Sequence, residues 1–169
     1  MLPRTIVRFV AACATLFVAQ AHANLLTNGS FELGTLINDG NHAQTFSAGP
    51  TNITGWAAVG PGQVTWIDAG NPFSLTAQDG DRFLDLTAYH TGPPFGGVTQ
   101  SIATSPGQEY ELSFYLGSYT QRWGGPPVSI VASAGGTSHT FSVTTTSTTS
   151  TWTSFRCCLQ PPRPIPPSR

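Results

Sequence analysis

The fold this sequence predicts is an all-β sandwich, and three observations predict it. First, charged residues are only 9% of the 169 positions, whereas Gly and Pro together supply 32 and Ser and Thr recur throughout. That balance suits strands and turns better than helices. Second, Tyr110, Leu112, Phe114 and Leu116 share one parity while Glu109, Glu111, Ser113 and Tyr115 share the other. Such alternation is a half-buried strand with an inner and an outer face. Third, short apolar runs recur with turn signals between them and no helical period, the spacing of a sandwich. The hydrophobic content of 39% is enough to bury a core in one domain.

The N-terminus reads as an export signal. Arg4 and Arg8 precede an apolar run from Phe9 to Ala19, and Ala21-His22-Ala23 supplies a small-x-small cleavage pattern. Residues 1–23 are therefore expected to be a secretory signal peptide, its apolar run too short to span a bilayer, leaving a secreted or cell-surface protein with no membrane span in the mature chain. Cys13 would leave with the signal. Cys157 and Cys158 are adjacent near the C-terminus, so the domain has no disulfide framework.

The mature chain then runs as follows. Asn24 to Phe31 suggests a short strand, a turn at Asn28-Gly29 and a return. Residues 35–50, polar and Gly-rich, suggest a loop. Strand regions follow at 53–59, 63–68 and 82–87, the last with Leu84 and Leu86 inward. Residues 71–80 and 89–97 read as loops. From Gly97 the sequence predicts a hairpin: Val98 and Ile102 alternate with Thr99 and Ser101, and Ser105-Pro106-Gly107-Gln108 suits a type II turn before the strand at 109–119. Strands at 128–133 and 139–143 flank Ala134-Gly135-Gly136, and Thr151–Phe155 begins one more. This makes eight or nine short strands. The domain is expected to span 24–155. Residues 156–169, with five prolines and three arginines, read as a disordered tail or a shifted reading frame.

Charge narrows the function. Within 24–155 two arginines face eight carboxylates, leaving −6. An acidic domain without a basic patch argues against nucleic acid. It is compatible with cations or neutral polymers. No Gly-x-Ser-x-Gly elbow, P-loop or Rossmann glycine pattern occurs, so no enzyme activity is expected. Asp79-Gly80-Asp81 with Asp85 is the densest acidic cluster and the one place for a hydrolase's carboxylate pair, but Asp-Gly-Asp more simply makes a turn. His42, His90 and His139 share no metal spacing. The aromatic residues are the strongest functional material, because sugar rings stack on exposed aromatic faces while polar neighbours bond hydroxyls. Trp66, Tyr89, Tyr119 and Trp123, with His90 in the Tyr89–Phe95 loop, are the expected ligand contacts.

Five blocks in order give a resemblance. They are Asn24-Leu-Leu-Thr-Asn-Gly-Ser-Phe-Glu32 with Gly34, Ile53-Thr-Gly-Trp56, Val64-Thr-Trp-Ile67, Asp79-Gly-Asp-Arg-Phe-Leu-Asp-Leu86 and Gly97-Val-Thr-Gln-Ser-Ile-Ala-Thr-Ser-Pro-Gly-Gln108 through Phe114. Together they resemble the family catalogued as domain of unknown function 642. The resemblance implies a galactose-binding-like, jelly-roll β-sandwich of short antiparallel strands. Such domains occur in exported bacterial proteins of the choice-of-anchor type, often with a PEP-CTERM sorting tail, and in plant cell-wall proteins. The Gly-x-x-Leu-Asp-Asn-Val-like closing strand and the sorting tail of such proteins are absent here, in keeping with a shifted frame near residue 156. Similar jelly-roll carbohydrate-binding modules hold a structural calcium ion on the Glu of an Asn-Gly-x-Phe-Glu block. That implies a calcium site on Glu32 and the Gly34 carbonyl. The implied role is non-catalytic binding of a polysaccharide or cell-surface glycan. The alternatives are a structural or adhesion protein without a small ligand, and a small hydrolase using an Asp pair.

Overall fold

The computed structural model describes residues 24–73, 75–90, 92–118, 128–144 and 151–159. The expected signal peptide, Tyr119 and Trp123 lie outside these residues. Ten strands and no helix occur among the described residues, and every strand pairing is antiparallel. The strands are β1 (Ala43–Phe46), β2 (Gly49–Pro50), β3 (Ala57–Val59), β4 (Val64–Asp68), β5 (Arg82–Asp85), β6 (Gly97–Thr99), β7 (Tyr110–Ser118), β8 (Val128–Ala134), β9 (Thr137–Val143) and β10 (Thr151–Leu159).

Two three-stranded sheets build the first part, β1-β4-β5 and β2-β3-β6. Their shared core is Phe46, Val64 and Trp66 from one sheet and Ala58 from the other, with Ile53 between; Leu84 and Val98 pack against it. Residues 64–67 of β4 are all buried, so β4 is covered on both faces. Within that buried run Thr65 keeps a partner: its hydroxyl lies 2.9 Å from that of Thr45, directly across the ladder. β1 and β2 fall inside the stretch expected to be a loop. Only Ala43 and Phe46 of β1 are buried, a spacing that carries no alternation, so the strand is visible only through its pairing with β4.

The second part is a long ladder, β7 on β10, with the β8–β9 hairpin against it. Phe114 and Phe155 sit opposite each other, and Phe141 of β9 meets both, with ring centroids 5.0 and 5.4 Å away. The β8–β9 turn is as expected. Gly135 and Gly136 both have positive φ, 58° and 83°, as a two-residue type I′ turn requires. Trp152 ties this part to the first. Its ring N–H donates to the Thr76 carbonyl at 3.1 Å and its face meets the edge of Phe83 of β5.

Three expectations are corrected. The Ser105–Gln108 turn forms, with Gln108 N–H donating to Ser105 O at 3.2 Å and Gly107 at φ 78°. Its flanking strands do not pair with each other, because β6 joins β3 and β7 joins β10. Residues 24–31 form no strand; they are a loop held by side chains. The break expected at residue 156 falls later: β10 continues to Leu159, with Cys157 half-buried beside Phe155 on the inner face and Arg156 and Cys158 exposed. The period of two simply persists through Phe155-Arg-Cys-Cys-Leu159, and the prolines begin only at Pro161.

Glycine is dictated by geometry at Gly34. It adopts φ 140°, and a Cβ there would overlap the Asn52 carbonyl oxygen and press on the Trp66 ring. Gly107 also has positive φ but faces open space. Gly34→Ala is therefore expected to lose about 3 kcal/mol or more, and Gly107→Ala only about 1 kcal/mol. Urea unfolding midpoints of the two variants check this; equal losses would contradict the steric account.

Candidate binding surfaces

The N-terminal loop is assembled by two amide side chains. Asn28, in the left-handed region at φ 55°, accepts from Leu33 N–H at 2.8 Å and donates to the carbonyls of Leu33 and Thr54 at 2.9 and 3.1 Å. Asn is the non-glycine side chain best suited to that backbone position. Gln100 treats Thr27 as a strand partner would. Its Oε1 accepts from Thr27 N–H at 2.7 Å, and its Nε2 donates to Thr27 O at 2.8 Å and Gly55 O at 2.9 Å. The carbonyl of Asn28 receives the Trp56 ring N–H at 3.0 Å, and Phe31 packs on Trp56 with centroids 5.0 Å apart.

These contacts floor an open trough of about 540 Å3. Residues 50–57 form one side and residues 99–101 the other. The volume falls within the roughly 300–1,000 Å3 of ordinary ligand clefts. Its lining mixes hydroxyls (Thr51, Thr54, Thr99, Ser101), carboxamides (Asn52, Gln100) and Trp56 with the apolar Pro50, Ile53 and Ala57, and no lining residue is ionisable. Asn52, Thr54, Thr99 and Ser101 are exposed, while Trp56 is half-buried. Trp56 packs against the core cluster and is also among the residues lining the trough. The Thr and Asn residues around it gave no signal, since such residues fill most of the chain.

A second, smaller depression of about 230 Å3 lies between residues 61–63 and 90–94, with His90, Gln63 and Pro93 among its lining. The two loops meet closely: Gly62 N–H donates to Phe95 O at 3.2 Å, and a Cβ on Gly96 would strike the Gln63 carbonyl. His90 is exposed there. Its neighbour Tyr89 is 43% exposed and rests on Phe73 at 5.2 Å. Tyr89 stands at φ 68° because Asp85 closes the turn. Asp85 accepts from Thr87 N–H and hydroxyl on one oxygen and from Tyr89 N–H on the other.

Other expected site residues are placed differently. Trp66 is wholly buried, so it has no face for a ligand. Its ring N–H donates to Phe31 O at 3.0 Å, and the Arg82 guanidinium lies 4.6 Å from its ring centroid. It belongs to the strand interior, where β1, β5 and the N-terminal loop enclose it. Glu32 and Gly34 do not fit a calcium shell. One oxygen of Glu32 accepts backbone N–H bonds from Asp81 and Arg82 at 3.1 and 2.8 Å. The carbonyls of Glu32 and Gly34 face Arg82 Nη1 at 2.8 and 3.5 Å. A positive charge already stands against the oxygens calcium would need. Asp79 and Asp81 flank Gly80, at φ 67°, in the expected turn. His139 is exposed, with its ring centroid 6.3 Å from that of Phe141. Among the described residues no three His, Cys, Asp or Glu side chains gather as a metal site, and no helix is long and apolar enough to cross a membrane.

The model of the family described as "Protein of unknown function (DUF642)" matches residues 24–163. The chain belongs to the DUF642 family. No curated protein and no solved structure matches it. The DUF642 match spans all ten strands, β10 included.

Tyr89 yields a pH dependence. Burial, with Asp39 and Asp85 nearby, pushes its phenol up to about 12 from 10.0. Below pH 10 the phenol is protonated in both folded and unfolded chains and contributes nothing to the slope. Between about 10 and about 12 the unfolded chain releases this proton first, so stability falls as pH rises. Phenolate absorbance should show one tyrosine ionising near 12, absent in Tyr89→Phe, with a shallower alkaline loss of stability in that variant. An unchanged titration in the variant would assign the late ionisation elsewhere.

Proposed function

We propose that this DUF642 chain is an exported, non-catalytic binding module, a galactose-binding-like jelly roll that holds a neutral polysaccharide along the trough at 50–57 and 99–101. The observation that carries this reading is the lining: exposed Asn52, Thr54, Thr99 and Ser101 beside the half-buried Trp56 and the apolar Pro50 and Ala57, with no ionisable group. Such a surface offers hydrogen bonds to sugar hydroxyls and an apolar patch to sugar C–H faces. The trough is open, which suits an internal stretch of a polymer better than an enclosed small molecule.

Charge supports the neutral class. The two arginines among the described residues are both engaged, Arg82 with Asp68 at 3.4 Å and Arg156 with Glu111 at 3.4 Å. The surplus of carboxylates in 24–155 disfavours uronate or sulfated polymers by like-charge repulsion. The predicted signal peptide supports a secreted or cell-surface location. A hydrolase built on the Asp cluster is less well supported, since Asp85 spends both carboxylate oxygens on its own turn. The burial of Trp66 favours the second reading, a structural or adhesion domain with no small ligand.

Affinity electrophoresis separates these readings. Migration in gels carrying hydroxyethylcellulose, mixed-linkage β-glucan or galactomannan should slow for at least one neutral polymer, equally at low and high salt. Polygalacturonate and alginate should leave it unchanged. Asn52→Ala and Thr54→Ala should each weaken retention roughly fivefold, the worth of about one hydrogen bond. Retention by no polymer would leave the structural reading in possession.

A further inference from the structure

Arg82 has an environment that its sequence position does not announce. Its side chain is only 21% exposed. Its Nη1 donates to the Glu32 carbonyl at 2.8 Å and stands 3.5 Å from the Gly34 carbonyl. Its Nε lies 3.4 Å from Asp68 Oδ2, and its planar group lies 4.6 Å from the Trp66 ring centroid. The same residue's backbone N–H holds the Glu32 carboxylate at 2.8 Å. Two separate parts of the chain, the N-terminal loop and the end of β4, converge on this one cation at the start of β5. A guanidinium suits this place because it presents several N–H donors in a rigid plane and stacks on aromatic faces. A calcium ion would need six to eight oxygens at 2.3–2.6 Å. Here the available oxygens are already turned toward a fixed positive charge.

We infer that Arg82 is a built-in structural cation: its guanidinium takes the position of a bound divalent ion, makes the fold independent of calcium, and masks a latent oxygen-lined cation site. The latent site consists of the Glu32 and Gly34 carbonyls and the Asp68 carboxylate, with the Glu32 carboxylate beside them. Removing the guanidinium leaves these oxygens converging on a space without a charge to balance them. A divalent ion can then enter, and the chain gains a calcium response that it lacks naturally. This inference is independent of any glycan, so failure of the polysaccharide reading leaves it standing.

The test is thermal unfolding of the wild-type chain and of Arg82→Ala, Arg82→Gln and Arg82→Lys, each in calcium chloride and in EDTA. Terbium luminescence sensitised by the adjacent indole gives a second readout. For the wild type, Tm should differ by less than about 1 °C between the two conditions, because a ligand shifts Tm only if it binds the native state. It should give no terbium emission that calcium displaces. Arg82→Ala and Arg82→Gln should melt lower in EDTA, recover about half of that loss in calcium by mass action, and gain calcium-displaceable terbium emission. Arg82→Lys, which keeps a cation on the spot, should stay indifferent to calcium. A wild-type chain destabilised by EDTA, or one that sensitises terbium, would overturn the inference. So would folded neutral variants that ignore calcium. Should the Ala and Gln variants fold only when calcium is present, that outcome supports it; should they fold in neither condition, the latent site is refuted.

Discussion

A tryptophan ring with no exposure to water must still find a partner for its one N–H. Trp66 finds it in the carbonyl of Phe31, and much of the first half of the molecule is arranged to deliver that carbonyl. Phe31 accepts an unusual φ of 65° to do so. Asn28 bridges the loop across to Leu33 and Thr54, and Gly34 lets the chain pass within reach of Asn52. On the far side the ring is roofed by Arg82, which is itself held by the carbonyl of Glu32. Sequence blocks that lie far apart, Asn28–Gly34, Trp56, Trp66 and Arg82, are thus one physical unit around a single buried indole.

The second half depends on that unit less directly. The β7–β10 ladder and the β8–β9 hairpin share a small aromatic core of their own, Phe114, Phe141 and Phe155. Trp152 links this core to the first: over Gly117, against Phe83, and bonded to the Thr76 carbonyl. A side chain on Gly117 would crowd the Trp152 ring, so the cross-strand pairing of these two residues is a steric requirement as well as a register. An indole thus serves each half of the molecule, one sealed within a sheet and one spanning between sheets.

What could be read from the sequence followed from local chemistry. The all-β class, the strand at Tyr110–Ser118, the Gly135-Gly136 hairpin and the Ser105–Gln108 turn all rest on alternation or turn dihedrals, which the chain carries within a few residues. What could not be read depended on partners. β1 shows no alternation and exists by pairing with β4. The supposed hairpin failed because Gln100 turns its side chain to Thr27 and β6 pairs with β3. Trp66 was misplaced because an alternating pattern cannot tell a strand exposed on one face from a strand covered on both. The same limit hid the trough, whose Thr51, Asn52 and Thr54 look like any polar loop until residues 99–101 are set opposite them. Glu32 was expected as a calcium ligand; the backbone N–H groups of Asp81 and Arg82 that its carboxylate accepts lie about fifty residues on and carry no local signal.

The Gln100 clamp on Thr27 bears on how the molecule presents itself. Thr27 is only three residues beyond Asn24, and the same Gln100 and Gly55 that grip or adjoin it also line the trough. The incoming chain is therefore pinned at the rim of that trough. Anything carried upstream of Asn24, whether a purification tag, a fluorescent reporter or an immobilising linker, would emerge beside that concavity and compete for access to it.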